Sequence, residues 1–440
     1  MERTADYEGR FQNIRVYWLA FVVYWGIVLF GYDTGVGGGV VNNPYFQKHF
    51  GMTDKDTVNE VSSLVVSVLQ AGAFFGSLAS IPVSPRIGRR WTLLVFSVLF
   101  CVGAILTTIA DSPKNGLALI YAGRVISGFG IGGISSVSPA FVSESAPKEV
   151  RGRITGMFQI MVAIGVMISY FINYGIGLHI SESVNVWRIP FGFQLVPAGM
   201  MAFGLLTVRE SPRWLASVGR KQEALENLAY LRRRSVDSHI VLHEIAEIEA
   251  AIEEERAARE GLGLREAFLG KGNLIRFVIA FVIFLLQQWS GQNSVNYYAP
   301  QIFESIGYKG NTNSLLASGL YGIVKFISTT IFVFFGVELL GRKLSLLISS
   351  LGMGTLFFIV GALLKTHPPD AAAASGGAPP AASKAMAAML YIYVCFYSMG
   401  WGPLPVNQTG SVSRRVKMGE QNDGISHYSS SLIYSSDTAS

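Results

Sequence analysis

Ten apolar runs, each close to the roughly 20 residues a helix needs to cross a bilayer, leave this chain few ways to fold. They cover 16–36, 61–82, 91–109, 117–141, 154–177, 191–208, 274–302, 315–340, 344–364 and 385–404. In lipid every backbone N–H and C=O must be satisfied within the protein, so the runs are predicted to be membrane-spanning α-helices. Composition agrees. Of 440 residues, 50% are hydrophobic and only 15% charged, with a mean hydropathy of +0.39, which is too apolar for soluble domains of this length. The runs leave no room for a separate soluble catalytic domain, and the one long hydrophilic insert is 209–272. The first run is long and lacks a small-residue cleavage site, so no cleavable signal peptide is expected.

The net charge is +6, and its placement is more telling than its size. With the N-terminus in the cytoplasm, the short inner segments hold Arg3, Arg10, Arg15, Arg86, Arg89, Arg90, Lys148, Arg151, Arg153, Arg342 and Lys343. The outer ones hold fewer cations: Lys48, Lys55, Lys114, Arg188, Lys309, Lys365 and Lys384. This bias predicts an N-in topology. It also accounts for the basic balance without nucleic acid, since no basic face is interleaved with aromatics that could stack on bases.

Two charges break the pattern from inside apolar runs. Asp33 lies in Leu29-Phe30-Gly31-Tyr32-Asp33-Thr34-Gly35, and Arg124 in Tyr121-Ala122-Gly123-Arg124-Val125-Ile126. At membrane depth each costs several kcal/mol unless it is paired or hydrated. Bringing the two together in a cavity between helices is the cheapest arrangement. A carboxylate whose proton can be traded against an arginine contact suits a proton-driven transporter; the alternative is a fixed structural salt bridge.

Elsewhere the chemistry is sparse. Cys101 and Cys395 both sit in apolar runs, and no disulfide framework or metal-ligand spacing is present. His239 and His243 lack the intervening Glu of a zinc-protease helix and read as a solvated face. In the insert, Val241, Ile245, Ile248 and Ile252 recur at helical spacing with glutamates on the other faces, predicting a small cytoplasmic helical cap. Residues 366–383 read as a disordered Ala/Pro/Gly loop. Gly88-Arg89-Arg90 after the second run is echoed by Gly341-Arg342-Lys343 after the eighth, the trace of two repeated six-helix halves.

The seventh run carries the densest polar cluster, Gln287-Gln288-Trp289-Ser290-Gly291-Gln292-Asn293 followed by Tyr297-Tyr298-Ala299-Pro300. Ser290-Gly291 breaks the helix, and Gln287, Gln288 and Asn293 present amides that both donate and accept, as the hydroxyls of a sugar or cyclitol require. The alternative is polar glue between helices. Together with Gly31-Tyr32-Asp33, Gly123-Arg124, Ser143-Glu144-Ser145-Ala146-Pro147 leading to Arg151-Gly152, and Glu210-Ser211-Pro212-Arg213-Trp214-Leu215, this segment resembles the sugar porter family of the major facilitator superfamily, over about 17–405 and nearest to fungal quinate permeases.

That resemblance implies further roles. Gln159, a lone amide in the fifth run, matches a sugar-contacting glutamine, and Trp401 a cavity tryptophan able to stack on a sugar ring. Independently of the resemblance, Tyr297 and Tyr298, following the break in the seventh run, are placed to close the outer side of the site. Glu144, Arg151, Arg89, Arg213, Glu338 and Arg342 match an inner gate of carboxylates and arginines that pair across the halves and part when the carrier opens inward.

Three departures stand out. Pro85 replaces the family's usual Asp in the loop after the second run. Lys325 lies deep in the eighth run where Asn is usual; it could bind a substrate carboxylate such as that of quinate, hydrogen-bond a neutral sugar, or form an internal salt bridge. Residues 406–440 hold no run able to span, so they read as a disordered cytoplasmic tail in place of the last two helices, with the Asn407-Gln408-Thr409 sequon unglycosylated.

The expected architecture is an all-α membrane protein of the major facilitator superfamily fold. It divides into an N-terminal six-helix half (1–208), a cytoplasmic helical insert (209–272), a shortened four-helix C-terminal half (273–405) and the tail (406–440). The expected activity is proton-coupled uptake of a monosaccharide or quinate-like ring compound by a monomer in the plasma membrane. Its partners are substrate, proton and lipid bilayer, with no cofactor, metal or nucleic acid. Competing readings are a sugar sensor that binds without transport, or an inactive fragment. No nucleophile–base pair, phosphate loop or metal cluster supports an enzyme.

Overall fold

In the computed structural model, residues 13–111, 115–180, 182–257, 271–308, 311–336, 341–368 and 380–402 are described, and among them every regular element is helical. The N-terminal half contains α1 (Ile14–Val41), the short α2 (Pro44–His49), α3 (Lys55–Ile87), α4 (Arg89–Ile109), α5 (Gly116–Ser145) and α6 (Arg151–His179). Its last span is split at Gln194 into α7 (Asn185–Phe193) and α8 (Leu195–Thr207). The insert folds as α9 (Pro212–Ser217), α10 (Lys221–Arg232) and α11 (His239–Ala257). There follow α12 (Lys271–Trp289), α13 (Gln292–Ser305) and α14 (Asn311–Ile331), which runs into a π-helical turn at Phe332–Gly336. The described helices end with α15 (Arg342–Thr366) and α16 (Ala381–Met399).

Eight helical segments among the described residues are long and apolar enough to cross a membrane: the six of the N-terminal half, 312–335 and 343–366. The other two expected positions are helical as well. Run 274–302 is divided between α12 and α13, and run 385–404 overlaps α16, 19 residues long, which starts four residues earlier. Phe75, Ile81, Phe203, Leu351 and Phe358 point outward from their helices, which suits a lipid solvent and not water. The expected tail at 406–440, its sequon at Asn407, Glu338 and most of the 366–383 loop lie outside the described residues.

Small residues set the packing. Without a hydrophobic drive between helices in lipid, close backbone approach supplies the dispersion contact. Gly72 and Gly76 of α3 lie against the Val125 and Phe129 carbonyls of α5, while Gly128 and Gly132 of α5 lie against the Leu69 and Ala73 carbonyls of α3. Gly31 of α1 and Gly165 of α6 interlock in the same way. The two halves meet mainly where α6 packs on α14 and α1 on α13.

The two glycine–cation turns share a backbone shape. Gly88 precedes α4 with φ 93° and ψ 167°, and Gly341 precedes α15 with φ 69° and ψ 163°. Both are left-handed conformations that only glycine adopts cheaply. The insert docks on the N-terminal half. Val241, Ile245 and Ile252 of α11 bury against Trp214, Leu215, Ala224 and Leu228, as their spacing predicts. Arg232 donates to the Ser145 carbonyl at 3.0 Å and Lys148 reaches Glu247 at 2.6 Å, fastening this cap to the spans.

Candidate functional site

Asp33 and Arg124 face each other between α1 and α5, 2% and 1% exposed. Arg124 Nη1 donates to Asp33 Oδ1. Gln194 Nε2 donates to the same oxygen at 2.8 Å, and the guanidinium lies 5.0 Å from the centre of the Phe191 ring. Gly37 leaves space for the arginine; a Cβ there would lie 3.1 Å from Nη2. Asp33 Oδ2 has no hydrogen-bond partner among the described residues. One carboxylate oxygen is thus held by two donors while the other is free to take a proton. Gln194 was not anticipated from sequence. It stands in an apolar run at the junction of α7 and α8, and the only signal was that lone amide.

The amide cluster falls into two groups around the break between α12 and α13. Gly291 takes φ 79°, starting a new helix, so carbonyls just before it lose their intrahelical partners. Tyr393 of α16 donates to the Ser290 carbonyl at 2.7 Å. Gln287 turns inward and donates to the Trp401 carbonyl at 2.7 Å, and Trp401 Nε1 donates to Ser350 Oγ at 2.8 Å. Gln159 of α6 comes from the other half: a side chain added at Gly402, beside Trp401, would meet its Nε2 at 3.5 Å. Gln159, Gln287 and Trp401 therefore converge. Gln288 and Asn293 are exposed and bond each other across the break at 2.5 Å.

A second buried polar set lies deeper along α13, and sequence reading missed most of it. Gln292 Nε2 donates to Asn296 Oδ1 at 2.9 Å and to Tyr321 Oη at 2.7 Å. Lys325 of α14, 1% exposed, donates from Nζ to the same Asn296 Oδ1 at 3.1 Å. Pro300 has no N–H, which frees the carbonyl four residues back at Asn296. Tyr170 of α6 donates to that carbonyl at 2.5 Å, a bond across the two halves. The helix kinks at Tyr298, φ −113° and ψ 19°. Tyr297 is buried where α1 and α13 approach most closely; a Cβ on Gly38 would lie 2.2 Å from its carbonyl oxygen. The spacing Gln292, Asn296 at i and i+4 was the available clue, since it places both amides on one face.

At the end of the bundle that carries the insert, Arg89 makes a two-pronged contact with Glu144 at 2.9 and 3.0 Å, and Ser211 Oγ donates to Glu144 at 2.7 Å. Arg151 donates to the Ala146 carbonyl at 3.0 Å, and Arg213 pairs with Glu255 of the insert at 2.6 Å. These partners lie in the N-terminal half and the insert. Of Arg342 only the backbone is described. Glu210 faces the α4 N-terminus, accepting from the backbone N–H groups of Arg89, Arg90 and Ser211 at 2.9–3.2 Å. It supplies a carboxylate at the Gly88 turn between α3 and α4; Pro85 itself stands in the last turn of α3 and not in the loop expected for it, and Trp214 donates to the Pro85 carbonyl at 2.8 Å. Burial pushes the Glu210 carboxyl up, against those N–H groups and the Arg89 charge. A cavity of about 430 Å³ opens beside it, lined by Arg90, Trp91, Glu210 and Trp214 and remote from the amides.

At the opposite end the halves touch. Asn42 Nδ2 reaches Glu304 at 3.3 Å and Gln301 Nε2 reaches Ser62 Oγ at 3.0 Å.

Comparison with known proteins identifies the family and the fold. Residues 19–415 match a family described as "Sugar (and other) transporter". A "Probable quinate permease" of Neosartorya fischeri is 37% identical over 89% of this chain and 73% of its own length. A quinate permease of Emericella nidulans is 36% identical over 89% and 74%. Among solved structures, a partially occluded inward-open form of the xylose transporter XylE from E. coli superposes with a TM-score of 0.73 at 24% identity, covering 90% of this chain and 88% of that one. The proton:xylose symporter XylE bound to 6-bromo-6-deoxy-D-glucose gives 0.74 at 24% identity, over 89% and 81%.

Proposed function

This chain belongs to the family of sugar and related transporters, and on that premise we propose that it is a proton-coupled carrier of a polyhydroxylated ring compound, a monosaccharide or a quinate-like acid, working by alternating access. The chain is a multi-pass membrane protein of a family of permeases. In this reading the end bearing the insert is cytoplasmic, the membrane is the plasma membrane and the working unit is a monomer.

One observation carries the proposal: a single helix, α1, joins the titratable group to the substrate-binding helix. Asp33 and Gly38 are five residues apart, roughly 7.5 Å along the axis at 1.5 Å per residue. Gly38 lies directly against the Tyr297 carbonyl of α13. A proton arriving at Asp33 Oδ2 neutralises the carboxylate and weakens its hold on Arg124, leaving Gln194 to hold Oδ1. α1 is then free to shift, and with it the seam against α13. Gln159, Gln287 and Trp401, with Gln288, Asn293 and Lys325, offer the hydroxyl-binding groups. Glu144, Arg151, Arg89, Arg213, Glu338 and Arg342 would regulate the cytoplasmic gate. Binding energy moves the equilibrium only as far as substrate and proton prefer one state over the other.

The test is uptake of labelled quinate and of labelled glucose into proteoliposomes under an imposed pH gradient. Accumulation that follows the gradient is expected for at least one of them. Binding without flux would instead favour a sensor.

A further inference from the structure

Lys325 is the buried charge that proton coupling leaves unused. Its Nζ reaches Asn296 Oδ1 at 3.1 Å and stands 6.0 Å from the centre of the Tyr397 ring. Among the described residues no carboxylate lies within ion-pair distance, so an internal salt bridge there is not what the residue makes. An amide oxygen carries only a partial charge and cannot neutralise an ammonium. A desolvated, uncompensated cation costs several kcal/mol. Arg124, which is equally buried, is answered with a carboxylate, whereas among the described residues Lys325 is not.

The groups around Nζ are neutral and rich in donors and acceptors. Asn296 and Gln292 come from α13, Tyr321 lies one turn before Lys325 on α14, and Tyr397 comes from α16. Hydroxyls satisfy such groups, and only an anion satisfies the ammonium. In the conformation described the lysine is covered, so access requires α13 to move. That helix is already broken at Gly291 and kinked at Tyr298.

We propose that Lys325 is the counter-ion for a carboxylate on the substrate, so that the preferred cargo is a polyhydroxylated ring carboxylate and not a neutral sugar. This rests on the transport reading and selects between its two substrate classes. Charge accounting follows. A monoanion entering with one proton on Asp33 moves no net charge, whereas a neutral sugar entering with one proton moves one positive charge per cycle.

The full chain in proteoliposomes is assayed with quinate and glucose as probes. Lys325→Gln should lower the quinate-to-glucose uptake ratio about 100-fold, the scale of a lost hydrogen bond to a charged partner. Lys325→Arg should restore most of it, and quinate uptake by the wild type should not respond to a clamped membrane potential. An unchanged ratio in Lys325→Gln, or a potential-dependent quinate flux, overturns the proposal. Asn296→Asp guards against a variant that fails to fold, because it places an internal carboxylate beside Nζ. It should fold at least as stably as wild type and lose the thermal shift that quinate induces; retention of that shift also overturns the proposal. Wild-type protein that carries glucose but not quinate refutes this inference and leaves the transport reading standing. Protein that carries neither refutes both.

Discussion

Arg124 and Lys325 are equally buried cations in opposite halves, and their surroundings could hardly differ more. Arg124 has a carboxylate, a second donor holding that carboxylate and an aromatic face. Lys325 has one shared amide oxygen and a ring at 6.0 Å. The first arrangement is electrically complete, and in the proposed mechanism it opens on protonation. The second has no carboxylate among the described residues, and the proposal assigns its completion to the substrate. In the proposed cycle the N-terminal half holds the ion that drives transport, and the C-terminal half holds the cation that meets the cargo.

The strongest way to break this contrast is Asp33→Asn. A gradient of two pH units should support roughly 100-fold accumulation in the wild type, since each tenfold step corresponds to ~1.4 kcal/mol. The variant should equilibrate substrate without concentrating it, and full accumulation by the variant would dissolve the contrast.

Stability sharpens the same comparison. Arg124→Gln strands Asp33 in the interior and should destabilise by about 3–5 kcal/mol. Lys325→Met removes a charge that has no counter-ion among the described residues and should be neutral or stabilising. Thermal unfolding of the two purified variants checks this, and equal losses would show that Lys325 is also a paired structural ion. A smaller effect is expected at the seam: Tyr170→Phe leaves the carbonyl freed by Pro300 without its donor, at a cost of about 1–3 kcal/mol. The smallest concerns Glu210. Its carboxyl is raised above its ordinary 4.5 by burial, so the native protein binds that proton more tightly than the unfolded chain does. Its contribution is fully present below the ordinary value and is lost as pH rises through the raised one. Glu210→Gln should flatten the melting temperature across that window.

Much of this was legible in the chain itself, for a definite reason. A bilayer imposes length and apolarity on each span, so the expected run 16–36 falls inside α1 and the run 154–177 inside α6. Asp33 and Arg124 could be paired on paper because two isolated charges in lipid have few other partners. The break at Ser290-Gly291 was readable because a left-handed residue there wants glycine. What could not be read depends on which faces of two helices meet. Gln194 reaches Asp33 only because α7 and α8 part at that residue. Tyr170 caps the Asn296 carbonyl only because α6 crosses α13 opposite Pro300. Gln292 and Asn296 were visible as polar letters, but their meeting with Tyr321 and Lys325 is decided by how α13 rotates against α14.

The matched bends at Gly88 and Gly341 have one more consequence. Two stretches of one polypeptide, 253 positions apart, keep the same torsion while the letters beside them have drifted from Arg-Arg to Arg-Lys and from Pro85 to Glu338. The likeness here is one of shape and not of spelling. The molecule thus contains its own control experiment: a change made at one bend has a natural twin at the other, in the same polypeptide and the same lipid.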